Sequence, residues 1–92
     1  MDVRKPGQFD SGRIPGAINL PYGPEITGEQ PFNAIALEAE VAKDQALVIY
    51  CNAKGCDRSS WGAALAAEWG WTKVYYFRLG YPSWKTAGYP VE

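Results

Sequence analysis

Two short apolar runs mark the middle and the end of the chain. Ala46–Tyr50 and Val74–Phe77 show no alternation of apolar and polar positions, which is typical of parallel strands covered on both faces. Between them, the alanine-rich segment Trp61–Trp69 predicts a helix. The order strand, loop, helix, strand predicts a right-handed βαβ unit. The loop after Tyr50 then lies at the carboxyl end of a parallel strand, where open α/β sheets bind their ligands.

The ends of the predicted helices carry their own signals. Ser59 or Ser60 is suited to the N-cap of the helix after the loop, and Gly70 is suited to the position just beyond its C-terminus. Upstream, Asn33 is suited to cap a second helix that runs to about Lys43. The apolar side of that second helix consists of Phe32, Ile35, Ala39 and Ala42.

The rest of the chain predicts short elements and loops. Ile18–Leu20 is a short strand bounded by Pro and Gly residues, and Tyr22–Pro31 is a loop rich in the same two residue types. Ser83–Thr86 forms a helical turn before Gly and Pro residues break it. Three tryptophans are interpreted as packing residues: Trp61, Trp69 and Trp71.

Composition narrows the class of protein. The 92 residues, 47% hydrophobic and 21% charged, fit one compact domain over residues 1–92. Nine Lys and Arg residues against ten Asp and Glu residues give a net charge of −1, so the basic surface of a nucleic-acid-binding protein is absent. No apolar run approaches the length of a membrane span, and no signal-peptide pattern is present. We expect a soluble protein of the cytoplasm or periplasm, with neither nucleic acid nor membrane as a partner.

The absence of histidine limits the chemistry. It excludes imidazole as a general base and, with only two cysteines, argues against a zinc site. We therefore expect no metal and no cofactor. Two cysteines are also too few for a secreted scaffold built on disulfides, and their separation of five positions indicates a local site.

The two cysteines lie in the loop between the first strand and the helix. Backbone N–H groups of a curled loop and of a first helical turn bind anions and lower the pKa of a thiol. Lys54 and Arg58 add positive charge there. Cys51 follows the strand directly and is the better candidate nucleophile, while Cys56 lies on the far side of the loop.

Each of these residues also has a structural interpretation. Cysteine is among the residues most often buried, so Cys51 at a strand end is either a nucleophile or a core residue. The same two interpretations are open for Cys56. Lys54 and Arg58 are either cations that bind an anion or solvated residues at the start of the helix.

The chain resembles a rhodanese-like domain over nearly its whole length. The segments that resemble the family are Asp2-Val3-Arg4 with Phe9, Gly12–Pro21, Val48–Cys51, Ser60 with Ala63-Ala64, Gly70–Phe77, and Gly80 with Trp84 and Ala87–Val91. Arg13 stands where the family usually has histidine. The resemblance implies a three-layer α/β domain with a central parallel sheet. We expect an N-terminally truncated domain, without the strand and helix that usually precede Asp2 in the family.

The resemblance also implies a single-domain sulfurtransferase. Cys51 would take sulfane sulfur from a small anionic donor such as thiosulfate, carry it as a persulfide, and pass it to a thiophilic acceptor such as a thiol or cyanide. No proton has to reach the departing sulfite, so the missing histidines do not count against this activity. The residues of the anion-binding loop would be Asn52, Ala53, Lys54, Gly55, Cys56, Asp57, Arg58 and Ser59.

Two departures from the family keep alternatives open. The loop is longer than usual, and longer still than the loop with which rhodanese-like phosphatases accommodate phosphate or arsenate, so neither substrate class follows from its length. A phosphatase or arsenate reductase would also lack a general acid, because Asp57 lies beside the anion-binding loop and not across from it. Cys56 resembles the second thiol of members with paired cysteines, which implies a resolving thiol or a disulfide with Cys51. A thiol–disulfide redox module is therefore one alternative, and a catalytically silent module that binds a partner or senses anions is another. The lacking N-terminal elements lead us to expect lowered stability, or cover by a second copy or a partner.

Overall fold

The computed structural model describes residues 1–52 and 56–92, which form a small α/β fold. Its elements in chain order are α1 (Pro6–Ser11), α2 (Ala34–Glu40), β1 (Leu47–Tyr50), α3 (Asp57–Glu68), β2 (Val74–Phe77) and α4 (Gly80–Thr86). The predicted βαβ unit is confirmed as β1, α3 and β2. None of the helices in the described ranges is long and apolar enough to cross a membrane.

β1 and β2 pair in parallel, from Leu47 opposite Val74 to Tyr50 opposite Phe77. The N-terminal segment lies along β1, because Asp2 forms single bridges to both Tyr50 and Asn19. The predicted strand around Asn19 is thus reduced to one bridge. The chain there pairs with Asp2 only locally before it turns into the long loop.

The core lies on one side of the sheet, where α3 packs against both strands. Its buried members are Val3, Phe32, Leu37, Leu47, Ile49, Cys51, Ala66 and Trp71. Trp71 is buried as predicted, and its indole N–H donates to the carbonyl of Val41 at 3.2 Å. Trp61 is 46% exposed, although its ring makes an edge contact with that of Tyr22, so it is not a core residue.

The opposite side of the sheet is open in the described residues. Val48 is 47% exposed and Tyr75, its partner in the register, is 57% exposed. The prediction that both faces of the two apolar runs are covered is therefore wrong for these residues. The sequence does not reveal which positions are exposed, because those positions are apolar too.

α2 differs from its prediction in where it ends and in which of its sides is buried. Asn33 caps it as predicted, since its side-chain oxygen accepts the N–H of Ala36 at 2.9 Å. The helix ends at Glu40, and Val41 is extended with its carbonyl bound to the indole of Trp71. Ile35 is 83% exposed while Leu37 is fully buried. Residues two apart on a helix point to different sides, so the helix that buries Leu37 must expose Ile35.

The C-terminus of α3 is built as the sequence predicts. Gly70 has φ of +111°, a conformation that glycine adopts most easily. The N–H of Gly70 binds the carbonyl of Ala67 at 3.2 Å, and that of Trp71 binds the carbonyl of Ala66 at 3.1 Å. These two bonds form a Schellman motif, which stops the helix and turns the chain toward β2.

Of the two short helices α1 and α4, the sequence does not predict the first and predicts only part of the second. α1 begins with Pro6, a residue favoured in the first turn, but it buries no side chain and has no apolar periodicity. α4 is longer than the predicted turn at Ser83–Thr86. The N–H of Tyr81 in α4 donates to the carbonyl of Cys51 at 2.9 Å, so this helix is tied to the end of β1.

Candidate active site

Cys51 lies at the carboxyl end of β1, where the sequence predicts a ligand site. Cys51 is 2% exposed and belongs to the hydrophobic core. Its carbonyl is held by the N–H of Tyr81. Cys51 therefore fits both interpretations. It is a core residue, and it lies at the edge of the sheet where a nucleophile is expected.

Cys51 and Cys56 form a disulfide in the structure, with their Cα atoms 6.4 Å apart. That separation lies within the range that disulfides require. The pairing agrees with the paired-cysteine loop that the family resemblance implies. Unlike Cys51, Cys56 is only partly buried, and it packs against the rim of the core at the N-cap of α3.

The N-terminus of α3 comes four residues earlier than Trp61, where the sequence predicts it. Asp57, Arg58 and Ser59, predicted as loop residues, form the first turn of the helix, and neither Ser59 nor Ser60 is its N-cap. Cys56 takes the N-cap position in extended conformation, held by its bond to Cys51. The remaining predicted loop residues, Ala53, Lys54 and Gly55, lie outside the described residues.

This early start brings the positive end of a 12-residue helix next to the disulfide. The first N–H groups of a helix have no partner within it, and the aligned peptide dipoles add partial positive charge. Ser59 in this turn is 1% exposed, and the exposed carboxylate of Asp57 complements the helix dipole. A helix terminus favours a thiolate formed beside it, and this effect needs no histidine.

Arg58 points toward the long loop after residue 20. Its guanidinium donates to the carbonyl of Tyr22 at 3.2 Å and forms an ion pair with Glu25. The hydrogen bond from Arg58 to the Glu25 carboxylate holds the pKa of Glu25 below its usual value. Much of the Arg58 charge is therefore balanced by Glu25. The structure thus gives this arginine a role in closing the loop over α3, which its position in the sequence does not indicate.

The sequence interpretation missed a buried ion pair behind the site. Asp2 is fully buried and Arg4 is 3% exposed. The Arg4 guanidinium donates to both carboxylate oxygens of Asp2 at 2.8 to 3.1 Å and to the carbonyl of Gly12 at 2.5 Å. It also reaches the side-chain oxygen of Asn52 at 3.4 Å. Arg4 therefore connects the N-terminal segment to the residue that follows Cys51.

Tyr50 completes this network. Its hydroxyl donates to Asp2 at 2.9 Å and accepts the N–H of Ile14 at 3.2 Å. Burial and, next, the negative charge of Asp2 raise the pKa of Tyr50 far above its usual value. The hydroxyl stays protonated at any physiological pH, so it serves as a structural donor. The only sequence signal for the network is the segment Asp2-Val3-Arg4, which the family resemblance also contains.

Two open clefts flank the cysteine pair. One, of about 330 Å³, borders Asn52, and its other lining residues are Arg4, Gly7, Gln8, Ser11, Gly12, Tyr81 and Lys85. The second, of about 290 Å³, borders Cys56 itself. Its other lining residues are Pro24, Asp57, Arg58 and Trp61. Cys56 therefore borders an opening directly, and Asn52, the neighbour of Cys51, borders the other.

A parallel βαβ unit with a cysteine between its first strand and its helix defines an α/β protein with a thiol site. The sequence profile of the rhodanese-like domain matches residues 1–87. The chain belongs to the rhodanese-like domain family, as its sequence segments indicate.

Solved structures with this fold cover almost the whole chain. The Rhodanese_3-like domain of a protein from Anabaena sp. superposes with a TM-score of 0.75 at 22% identity, covering 99% of this chain and 93% of the other. A protein from Bacillus halodurans has a TM-score of 0.79 at 25% identity, with 99% of this chain and 60% of the other covered. These likenesses confirm the fold.

Two curated proteins are similar in sequence. A sulfurtransferase from Allochromatium vinosum is 29% identical over 99% of this chain and 75% of its own length. An HTH-type transcriptional regulator from Mycobacterium tuberculosis is 30% identical over the full chain, which spans 36% of that protein. The family and the first relative together support a role in sulfur transfer.

Proposed function

We propose that this domain is a sulfurtransferase that carries sulfane sulfur as a persulfide on Cys51 and accepts it from a small anionic donor such as thiosulfate. The observation that carries the proposal is the place of Cys51, at the carboxyl end of β1 and beside the N-terminus of α3. Membership of the rhodanese-like family and the sulfurtransferase relative support it.

The chemistry needs one thiolate and no acid. The Cys51 thiolate attacks the outer sulfur of thiosulfate, a new S–S bond forms, the S–S bond of the donor breaks, and sulfite departs with the electron pair. In the second step an acceptor such as cyanide attacks the outer sulfur of the persulfide. Thiocyanate leaves and the Cys51 thiolate returns. Each step begins and ends with anions, so a chain without histidine can perform both.

The helix terminus and the lysines supply what these steps require. Partial positive charge at the start of α3 favours the thiolate over the thiol and favours anions at the same place. Lys54 and Lys85 carry charge that attracts the donor, with Lys85 at the cleft beside Asn52. The disulfide must be reduced before the first step, because the Cys51 sulfur is a nucleophilic thiolate only when it is not bonded to Cys56.

Turnover from thiosulfate and cyanide tests the proposal. The domain is reduced, freed of reductant, and assayed for thiocyanate. The wild type and Cys56→Ser should both form thiocyanate, and Cys51→Ser should form none above the uncatalysed rate. Cys56→Ser is the matched control, because it removes a sulfur of the same pair by the same substitution. An unchanged rate in Cys51→Ser would overturn the proposal, and no turnover in any reduced form would favour a silent binding module.

The disulfide favours a second candidate, thiol–disulfide exchange between this pair and an external dithiol. Such a module needs both cysteines. It predicts that the wild type accelerates the reduction of 2-hydroxyethyl disulfide by dithiothreitol, and that Cys51→Ser and Cys56→Ser each abolish the acceleration. A Cys56→Ser variant that keeps the full rate would rule the exchange function out.

A further inference from the structure

The two sulfurs of the disulfide differ in their surroundings. Cys51 is 2% exposed and packs within the core beside Val3 and Ile49. Cys56 is partly exposed and borders an open cleft of about 290 Å³. The disulfide is therefore buried at one end and accessible at the other.

This difference decides where a reducing thiol can react. A thiolate attacks one sulfur of a disulfide and displaces the other, so the rate at each sulfur depends on access to it. The cleft leads to Cys56, with Trp61 and Pro24 on its sides. Cys51 is 2% exposed in the oxidised domain, so attack on its sulfur there requires a local opening that attack at Cys56 does not.

We propose that Cys56 is the entry sulfur of the pair: an external thiol attacks its Sγ, forms a mixed disulfide on Cys56, and releases Cys51 as a thiolate. The bond between the two cysteines breaks, and its electron pair leaves with the Cys51 sulfur. A second thiol then attacks the mixed disulfide on its external sulfur, which leaves Cys56 as a thiolate and the external thiol as its own disulfide. The two external thiols are oxidised and the domain gains the two electrons.

This order of events separates the roles of the two cysteines. Cys56 becomes the site of thiol modification, and Cys51 becomes free in its protected place beside α3. The inference does not rest on sulfur transfer by Cys51. It concerns the oxidised domain, whereas sulfur transfer begins from the reduced one, so either can fail while the other holds.

Peptide mapping of a trapped intermediate tests the order. The oxidised domain is exposed briefly to 2-mercaptoethanol, quenched with excess N-ethylmaleimide and digested with trypsin. Cleavage after Lys43, Lys54 and Arg58 places Cys51 in the peptide 44–54 and Cys56 in the peptide 55–58. We expect the mercaptoethanol adduct on peptide 55–58 and maleimide on peptide 44–54. The adduct on peptide 44–54, or an even division between the two peptides, would overturn the proposal.

Single-cysteine variants give an independent measurement. Cys51→Ser and Cys56→Ser are each converted to the mixed disulfide with 2-mercaptoethanol, and its reduction by dithiothreitol is timed. In the folded state the adduct on Cys56 should be reduced on the order of tenfold faster than the adduct on Cys51, because access differs. In urea that unfolds both variants the rates should converge. Equal rates in the folded state would contradict the inference.

Discussion

The ion pair of Asp2 and Arg4 should be a large single contributor among the polar contacts of this domain. The Asp2 carboxylate accepts from the backbone N–H and guanidinium of Arg4 and from the hydroxyl of Tyr50. The side chains of Asp2 and Arg4 are 0% and 4% exposed. The substitution Asp2→Asn keeps the shape but removes the charge, and it leaves the guanidinium in the interior without a counter-charge.

The size of the effect follows from burial. Removing one partner of a buried ion pair costs about 3–5 kcal/mol, because the other charge remains desolvated. Small domains have total unfolding free energies near the lower end of about 5–15 kcal/mol, so Asp2→Asn should be barely folded. Arg4→Met should also destabilise. The double variant loses both charges together, and its cost should fall short of the summed single costs by at least about 2 kcal/mol.

Urea unfolding followed by tryptophan fluorescence measures this cycle. All variants keep the disulfide, and sucrose at one concentration keeps the weakest of them folded. Lys5→Met is the matched control, since it removes an exposed neighbouring cation, and it should change the unfolding free energy by less than about 0.5 kcal/mol. A cost below about 1 kcal/mol for Asp2→Asn, or strictly additive single costs, would show that the two buried charges do not depend on each other.

Three further predictions concern the loop contact and α3. The contact with Arg58 lowers the pKa of Glu25 in the folded state. This contact stabilises the fold fully when the pH is above the unfolded-state pKa of 4.5, and the stabilisation is lost as the pH falls through the lower folded-state pKa. The difference in unfolding free energy between wild type and Glu25→Gln should therefore shrink in acid, and a constant difference from pH 7 to pH 3 would contradict this. Gly62→Ala should stabilise by about 0.5–1 kcal/mol, because alanine favours a helix interior and its Cβ would meet Phe32 at an ordinary 3.5 Å; a lowered midpoint of thermal unfolding would show that the site is tighter. Gly70→Ala should destabilise by about 1–2 kcal/mol, because φ of +111° strains any other residue, and thermal unfolding unchanged from wild type would refute the Schellman assignment.

Elements defined by local pattern could be predicted from the sequence. The apolar runs predict β1 and β2, and Asn33 and Gly70 mark helix ends correctly because capping depends on a few neighbouring residues. The early start of α3 could not be predicted in this way. Asp and Ser residues favour caps over helix interiors, and the tertiary bond from Cys56 to Cys51 competes with that preference.

Contacts between distant parts of the chain were the main omission. Arg4 meets Asn52 from 48 positions away, and Arg58 meets Glu25 from 33 positions away. Nothing in local pattern encodes either contact. The position of Cys51 directly after an apolar strand indicates it as the candidate nucleophile, and the family resemblance adds the pairing with Cys56 and the segment that contains Arg4. The role of that arginine behind the site is visible only in three dimensions. Cover of this domain by a second copy or a partner stays a prediction.

Sulfur transfer by this domain requires a persulfide on Cys51, and the mass of one peptide reveals whether it forms. The variant Cys56→Ser is suited to this measurement, because it has no second thiol to displace the bound sulfur. It is reduced, treated with thiosulfate, alkylated and digested with trypsin. We expect peptide 44–54 to gain the mass of one sulfur atom and to lose it again after cyanide treatment. If that peptide gains no sulfur while its thiol is free to react with the alkylating reagent, sulfur transfer through Cys51 is contradicted.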